Sequence, residues 1–95
     1  MINKMEYTDY RQAVEYDKDL CSTIAMEENA ELIQAISKAK RGKLDKDNLA
    51  EEIADVLICI DWIQEIYGIS PAEVYRWTDR KKERIVARLN AGVFK

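Results

Sequence analysis

The sequence predicts an all-α protein, a small antiparallel bundle of three long helices plus a short N-terminal helix. Its 95 residues include only three glycines and one proline, and few β-branched residues are clustered. Helical patterning extends from about Thr8 to near Asn90. No repeat, low-complexity tract or linker divides the chain, so we expect a single domain over residues 1–95.

The N-terminal part predicts a short helix followed by a longer one. Thr8 can cap the first helix, which we expect to run through Val14. The polar stretch Asp17-Lys18-Asp19 offers a break or a second cap. A long helix from about Asp19 to Lys40 follows.

The middle of the chain predicts the second long helix. Gly42 suits the left-handed residue that ends a helix, and Asp45 or Asp47 can begin the next one, which Gly68 stops. The segment 53–63 is apolar on nearly every face. We therefore expect this helix to be the central and most buried element.

The third long helix has the clearest start signal. Ser70-Pro71-Ala72-Glu73 combines a serine cap, proline at the first helical position and glutamate three residues after the cap. We expect this helix to run from Pro71 to about Asn90. Loops of only a few residues place successive helices side by side and antiparallel.

Composition excludes several classes of function. The net charge of −3 gives no general electrostatic case for a nucleic-acid polymer or a membrane as partner. The polar N-terminus lacks a signal core and no long apolar run occurs, so we expect a cytoplasmic protein. Cys21 and Cys59 lie in apolar helical stretches without C-x-x-C spacing, which predicts two reduced, packed thiols.

Histidine is absent, which removes the base of Ser-His and Cys-His nucleophile systems and the histidine of di-iron carboxylate bundles. The remaining option is oxygen-ligand chemistry, which suits Mg²⁺ or Mn²⁺. A chain of this length is also short for a self-sufficient enzyme with a deep pocket. We therefore expect the bundle to be completed by association with another copy.

Two acidic pairs, Glu28-x-x-Glu31 and Glu52-x-x-Asp55, occur inside segments that otherwise indicate buried helix. The spacing of three puts both carboxylates of a pair on one helical face. If the two helices form a hairpin, four carboxylates face one another, and their repulsion requires a positive partner. The sequence therefore predicts a shared site for a divalent cation.

A surface role is the alternative for such acids, because exposed carboxylates usually pair with lysine or water for little net gain. Glu27 and Glu51 are close enough to be supplementary ligands or water-orienting bases, or they are outward-facing, solubilising residues. Asp61 is turned away from Asp55, and a salt bridge or a subunit contact better explains it.

The last helix carries one face with an aromatic ring and three cations: Trp77, Lys81, Arg84 and Arg88. Guanidinium groups match phosphate geometry, and lysine adds a point charge. The alternative is a solvated face that pairs with neighbouring acids. Together with the acidic pairs, the cations favour a metal–polyphosphate site.

The segments that contain these acids, residues 27–32 (EENAEL) and 51–57 (EEIADVL), resemble the MazG-like, all-α nucleoside triphosphate pyrophosphohydrolases. The hallmark of that family is E-E-x-x-E followed, after a variable spacer, by E-x-x-D. The resemblance spans roughly Leu20 to Leu89 and includes the basic last helix.

The resemblance implies Mg²⁺-dependent hydrolysis between the α and β phosphates of a nucleoside triphosphate, releasing a nucleoside monophosphate and pyrophosphate. It implies a helical bundle that forms a homodimer or homotetramer. The resemblance assigns the family's metal-binding and catalytic acids to Glu28, Glu31, Glu52 and Asp55. It assigns the family's phosphate-binding cations to Lys81, Arg84 and Arg88.

Two other functions are compatible with the residues. One is a helical dimerisation or regulatory module that has the same fold without chemistry. The other is a metal or nucleotide sensor that does not turn its ligand over. Detection of hydrolysis products would distinguish an enzyme from both of these alternatives.

Overall fold

The computed structural model describes residues 6–94. A short 3-10 helix, Tyr10–Gln12, leads into α1, Ala13–Lys40; α2 is Lys46–Tyr67 and α3 is Pro71–Asn90. No strand occurs within these residues. The predicted all-α class, with three long helices after a short N-terminal helical element, is confirmed.

The N-terminal turn begins one residue later than the sequence suggests. Asp9, not Thr8, is the cap, and its carboxylate accepts a hydrogen bond from the backbone N–H of Arg11 at 2.9 Å. The Gln12 side chain accepts bonds from the N–H groups of Thr8 and Asp9 at 2.7 and 2.9 Å. Thr8 is thus a donor to the capping box, and the prediction that it caps the turn is wrong.

α1 breaks at Asp17, where the sequence predicts an interruption. Its backbone is extended (φ −162°, ψ 94°), and its carboxylate accepts a hydrogen bond from the N–H of Leu20 at 3.0 Å. Asp17 thus acts as an N-cap for the part of α1 that follows. The break needs neither glycine nor proline, because a short acidic side chain can satisfy the free N–H group.

α1 and α2 form an antiparallel hairpin. Gly42, at φ +80°, follows the last turn of α1. The Asp45 carboxylate caps α2 by accepting a hydrogen bond from the N–H of Asn48 at 3.0 Å. The buried side chains along the hairpin are small or medium in size: Cys21, Ala25, Ala35, Val56 and Cys59. Small residues allow close approach of two helices, and both cysteines are free and buried as predicted.

α2 is less buried than its apolar composition predicts. Val56 and Cys59 face α1, but Ile53, Leu57 and Ile60 are 46%, 60% and 42% exposed. A helix in a two-helix hairpin is covered along one flank only. The predicted burial of α2 as the central element is therefore limited, within the single chain, to the flank that faces α1.

α3 extends from the hairpin without packing closely against it. Gly68 ends α2 at φ +66°, and Ser70 and Glu73 form the predicted capping box, with the Ser70 N–H donating to Glu73 at 2.7 Å. No residue of α3 is buried. The chain is elongated, with principal extents of 66 × 35 × 19 Å, so the predicted bundle is not closed within one chain.

The N-terminal turn is attached to α2 by two hydrogen bonds. The Tyr10 hydroxyl donates to the Asp61 carboxylate, and the Trp62 indole N–H donates to the Tyr10 carbonyl at 2.9 Å. Within the described residues Asp61 thus accepts a hydrogen bond from a tyrosine hydroxyl and forms no salt bridge, while a role at a subunit contact stays a prediction.

No helix within residues 6–94 combines the length and apolar character needed to cross a membrane.

Candidate metal centre

The hairpin brings its acidic pairs together near its middle. One carboxylate oxygen from each of Glu28, Glu31 and Glu52 lies within 4.8 Å of the corresponding oxygens of the other two. Glu28, Glu52 and Asp55 are half-buried, whereas Glu31 is exposed at the edge. We call these four residues the acidic cluster.

Local sequence explains why these side chains meet. On α1, Ala25 precedes Glu28 by three residues and Ala35 follows Glu31 by four, so each acid has a small buried neighbour on the same face. On α2, Asp55 is followed one turn later by the buried Cys59. The contact surface that closes the hairpin therefore continues directly into the acidic cluster.

Two carboxyl groups of the cluster, those of Glu28 and Glu52, have raised pKa values. Burial raises the pKa of Glu28 to about 7, with further contributions from the charges of Glu31, Asp55 and Glu52. A hydrogen bond to Asp55, which Glu28 can donate only when protonated, acts in the same direction. The pKa of Glu52 is also raised, first by burial and then by the charge of Glu31.

Two oxygen atoms in the cluster are buried without a hydrogen-bond partner in the described chain, Glu28 Oε2 and Glu52 Oε2. No basic side chain neutralises these carboxylates within residues 6–94, because the salt bridge found there joins Arg11 and Asp9. Buried polar atoms are normally hydrogen-bonded, and an unpaired buried carboxylate is strongly unfavourable. The cluster therefore lacks a positive partner from its own chain.

A hard divalent cation fits this donor set. All the donors are carboxylate oxygens, which suit Mg²⁺ and Mn²⁺ better than softer metals. Opposite oxygens around Mg²⁺ are about 4 Å apart, from ligand distances of about 2.0–2.1 Å. The 4.8 Å limit on the three glutamate oxygens leaves only small side-chain rotations to reach such an arrangement.

The flanking acids differ from the cluster. Glu27 and Glu51 are exposed, which agrees with the outward-facing alternative. Asp55 lies beside Glu28 closely enough to raise its pKa, although it is not one of the three residues whose oxygens converge within 4.8 Å.

The cations predicted to bind phosphate lie elsewhere. Lys81, Arg84 and Arg88 are exposed on α3. Trp77, at the start of the same line, is 50% exposed and contacts the guanidinium of Arg80, which lies 5.5 Å from the ring centroid. Because α3 does not pack closely against the hairpin, one chain does not bring these cations to the acidic cluster.

Sequence reasoning did not single out Asn29. This residue lies between Glu28 and Glu31 in the sequence and is exposed, and its Nδ2 donates to the Ala25 carbonyl at 2.7 Å. Its position inside the Glu28–Glu31 interval was the available signal.

Comparison with known proteins agrees with this geometry. The family model described as MazG nucleotide pyrophosphohydrolase domain matches residues 18–85, which is more than two thirds of the chain and includes the whole acidic cluster. No curated protein and no solved structure matches. Proteins of this family generally hydrolyse nucleoside triphosphates and are typically metal-dependent. The chain belongs to the MazG nucleotide pyrophosphohydrolase domain family.

Proposed function

We propose that the protein is a Mg²⁺-dependent nucleoside triphosphate pyrophosphohydrolase, with Mn²⁺ as an alternative metal. The substrate is an NTP or dNTP, and the products are the nucleoside monophosphate and pyrophosphate. The observation that carries the proposal is the pair of buried, unpartnered oxygens of Glu28 and Glu52 within a converging acidic cluster.

In this proposal Glu28, Glu31, Glu52 and Asp55 hold the divalent cation. When bound, such a cation polarises a phosphate oxygen, lowers the pKa of bound water and stabilises charge on the leaving group. The all-oxygen donor set and the uncompensated negative charge support this assignment.

The reaction needs no protein nucleophile. A water oxygen forms a bond to phosphorus while the bond between the α-phosphate and β-phosphate groups breaks, and pyrophosphate leaves. Glu28 and Glu31 are the candidates for orienting that water and receiving its proton. Glu31 is exposed at the edge of the cluster, where a water molecule can reach it, and Glu28 lies one turn before it on the same face of α1.

Lys81, Arg84 and Arg88 are proposed to bind the phosphate groups. They lie on one face of α3, and none forms an ion pair within the described residues. α3 carries six basic and three acidic residues, a net charge of +3 in a chain whose total is −3. The rest of the chain is therefore strongly acidic, and α3 is electrostatically complementary to it.

A homodimer or homotetramer would bring these surfaces together. α3 exposes Val74, Ile85 and Leu89, and the hairpin exposes Ile33 and Leu57. Such apolar surface is unfavourable in water and is normally buried in an interface. The proposed assembly covers both surfaces and places the cations of α3 near an acidic cluster.

Product analysis tests the proposed reaction. The purified protein is incubated with each common NTP and dNTP plus Mg²⁺, and the nucleotide products are separated and pyrophosphate is quantified. We expect monophosphate and pyrophosphate in equal amounts, and no product from Glu52→Gln or Asp55→Asn. Glu65→Gln, an exposed acid elsewhere on α2, is the matched control.

Absence of turnover and of metal-dependent binding for every nucleotide would refute the proposal. Release of orthophosphate with a nucleoside diphosphate would show that a different bond is cleaved. Light scattering on the same samples tests the proposed assembly, and a monomer at working concentrations would contradict it.

The single domain over residues 1–95 and the cytoplasmic location remain predictions from the sequence.

A further inference from the structure

An apolar cleft of about 250 Å³ lies beside the acidic cluster. It is formed where α1, α2 and the beginning of α3 meet. The residues that line it include Asn29, Cys59, Ile60, Ile63, Gln64 and Val74.

The cleft and the acidic cluster share neighbouring positions on α1 and α2. Asn29 directly follows Glu28 on α1, and Cys59 lies one turn beyond Asp55 on α2. A ligand whose phosphates lie at the cluster therefore has this cleft as an adjoining apolar surface.

The lining has the character of a site for a flat heterocycle. Its walls are aliphatic side chains, and its polar side chains are the two primary amides, Asn29 and Gln64. Asn29 Nδ2 is held by the Ala25 carbonyl at 2.7 Å, while its Oδ1 makes no hydrogen bond to another described residue. Binding sites for small molecules typically combine such apolar walls with a few placed polar groups.

Size and charge indicate which part of a nucleotide fits. The volume is below the roughly 300–1,000 Å³ of sites for drug-sized ligands, so a whole nucleotide is too large. No basic side chain lines the cleft, so it offers nothing to neutralise a phosphate. An uncharged aromatic base suits both properties.

We propose that this cleft is the nucleobase subsite, and that Asn29 is the residue that reads the polar edge of the base. The inference rests on the proposed function, because the triphosphate must be anchored at the acidic cluster for the base to reach the cleft. A carboxamide offers both an acceptor and donors to that edge, whereas the aliphatic walls contact the faces of the ring.

Titration calorimetry with non-cleavable nucleotide analogues and with tripolyphosphate separates the contribution of the base to affinity from that of the phosphates. The wild-type protein is titrated in Mg²⁺ with α,β-methylene analogues of ATP, GTP, CTP and UTP, and with inorganic tripolyphosphate. We expect at least one analogue to bind about tenfold more tightly than tripolyphosphate. Asn29→Ala should reduce this ratio about tenfold, the loss of roughly one hydrogen bond to a polar ligand.

A matched control and a direct readout complete the experiment. Asn90→Ala removes an exposed carboxamide at the end of α3 and should leave the ratio unchanged. Alanine favours helix, so Asn29→Ala should remain folded, and circular dichroism checks this. In wild-type protein, the side-chain amide NMR signals of Asn29 should shift with the nucleotide analogue and stay in place with tripolyphosphate.

Three outcomes would overturn the inference. Equal affinity for every analogue and tripolyphosphate would mean that the base contributes nothing. The Asn29→Ala variant could fold normally, keep the wild-type ratio of analogue to tripolyphosphate affinity, and differ from wild type in its oligomeric state. This result would mean that a second copy, and not a base, covers the cleft. If neither ligand class binds in Mg²⁺, the proposed function itself fails and the subsite falls with it.

Discussion

Neutralising Glu28 should stabilise the metal-free protein at alkaline pH. The Glu28 carboxyl has a pKa of about 7 in the folded chain against an ordinary value of 4.5, because it is buried beside three other acids. The folded state therefore holds this proton more tightly than the unfolded state does. The group favours folding fully below about pH 4.5, and this contribution is lost as the pH rises through 7.

The size of the effect follows from the shift. A change from 4.5 to about 7 corresponds to about 3 kcal/mol at about 1.4 kcal/mol per unit. Glu28 is only half-buried, so solvent screening reduces this to about 1–2 kcal/mol. In a domain of this size, each kcal/mol changes Tm by roughly 4–8 °C.

The assay is urea or thermal unfolding of wild-type protein and Glu28→Gln at pH 5 and pH 8, without divalent cations. We expect the variant to gain about 1–2 kcal/mol relative to wild type at pH 8 and little at pH 5. Taking the difference between the two proteins removes the opposite contributions of Asp9 and Glu73, whose pKa values are lowered by hydrogen bonds to backbone N–H groups.

Adding Mg²⁺ should reverse the order of stability. A ligand at 100 times its Kd stabilises a folded protein by about 2.7 kcal/mol, and only the wild type retains all four carboxylates. An equal difference between the two proteins at both pH values would refute the electrostatic reasoning. Equal stabilisation of both by Mg²⁺ would show that Glu28 is not a ligand.

Three further predictions concern substrate affinity and stability. Lys81→Ala should raise KM for the nucleotide roughly tenfold by removing a charged phosphate contact. Lys82 lies about 100° further around α3, so Lys82→Ala should change KM less than about twofold. Equal effects of the two substitutions would contradict the assignment. Gly68→Ala should lower the free energy of unfolding by about 1 kcal/mol, since its φ of +66° disfavours a Cβ although no atom lies within 4 Å of one; an unchanged Tm would show that this conformation is not required. Tyr10→Phe should lower it by about 0.5–1 kcal/mol by removing the bond to Asp61, and no loss in urea unfolding would mean that the N-terminal turn is held otherwise.

Local features of the fold were predictable because short-range chemistry determines them. Ser70 and Asp45 begin helices as their side chains suggest, and Gly68 ends one because it lacks a Cβ. The cap of the first turn is Asp9 and not Thr8, because both residue types are good caps and only the position of the first turn distinguishes them. Such boundary shifts of one residue do not affect the packing of the long helices.

Long-range packing was less predictable. The apolar composition around Leu57 indicates a helix that is buried on several faces, but not whether its own chain or another one covers it. Likewise, α3 has clear caps and an amphipathic pattern, yet nothing in that pattern reveals that it extends away from the hairpin. The hydrogen bond between Tyr10 and Asp61 was not predictable because the two residues are 51 positions apart in the sequence.

The convergence of the acids followed from spacing and hairpin topology. Glu28, Glu31 and Glu52 meet because three-residue spacing and an antiparallel neighbour leave few alternatives. The role proposed for Asn29 was not predictable, since a polar residue between two acids is equally compatible with an exposed face. Only the apolar cleft beside it suggests a ligand contact.

Mn²⁺ titration monitored by electron paramagnetic resonance at pH 8 tests the central claim most directly, because it detects the bound cation without relying on turnover. We predict saturable binding by wild-type protein, and affinities at least about tenfold weaker for Glu52→Gln and Asp55→Asn. No saturable binding, or the same affinity in all three proteins, would contradict the assignment of the acidic cluster as a metal centre.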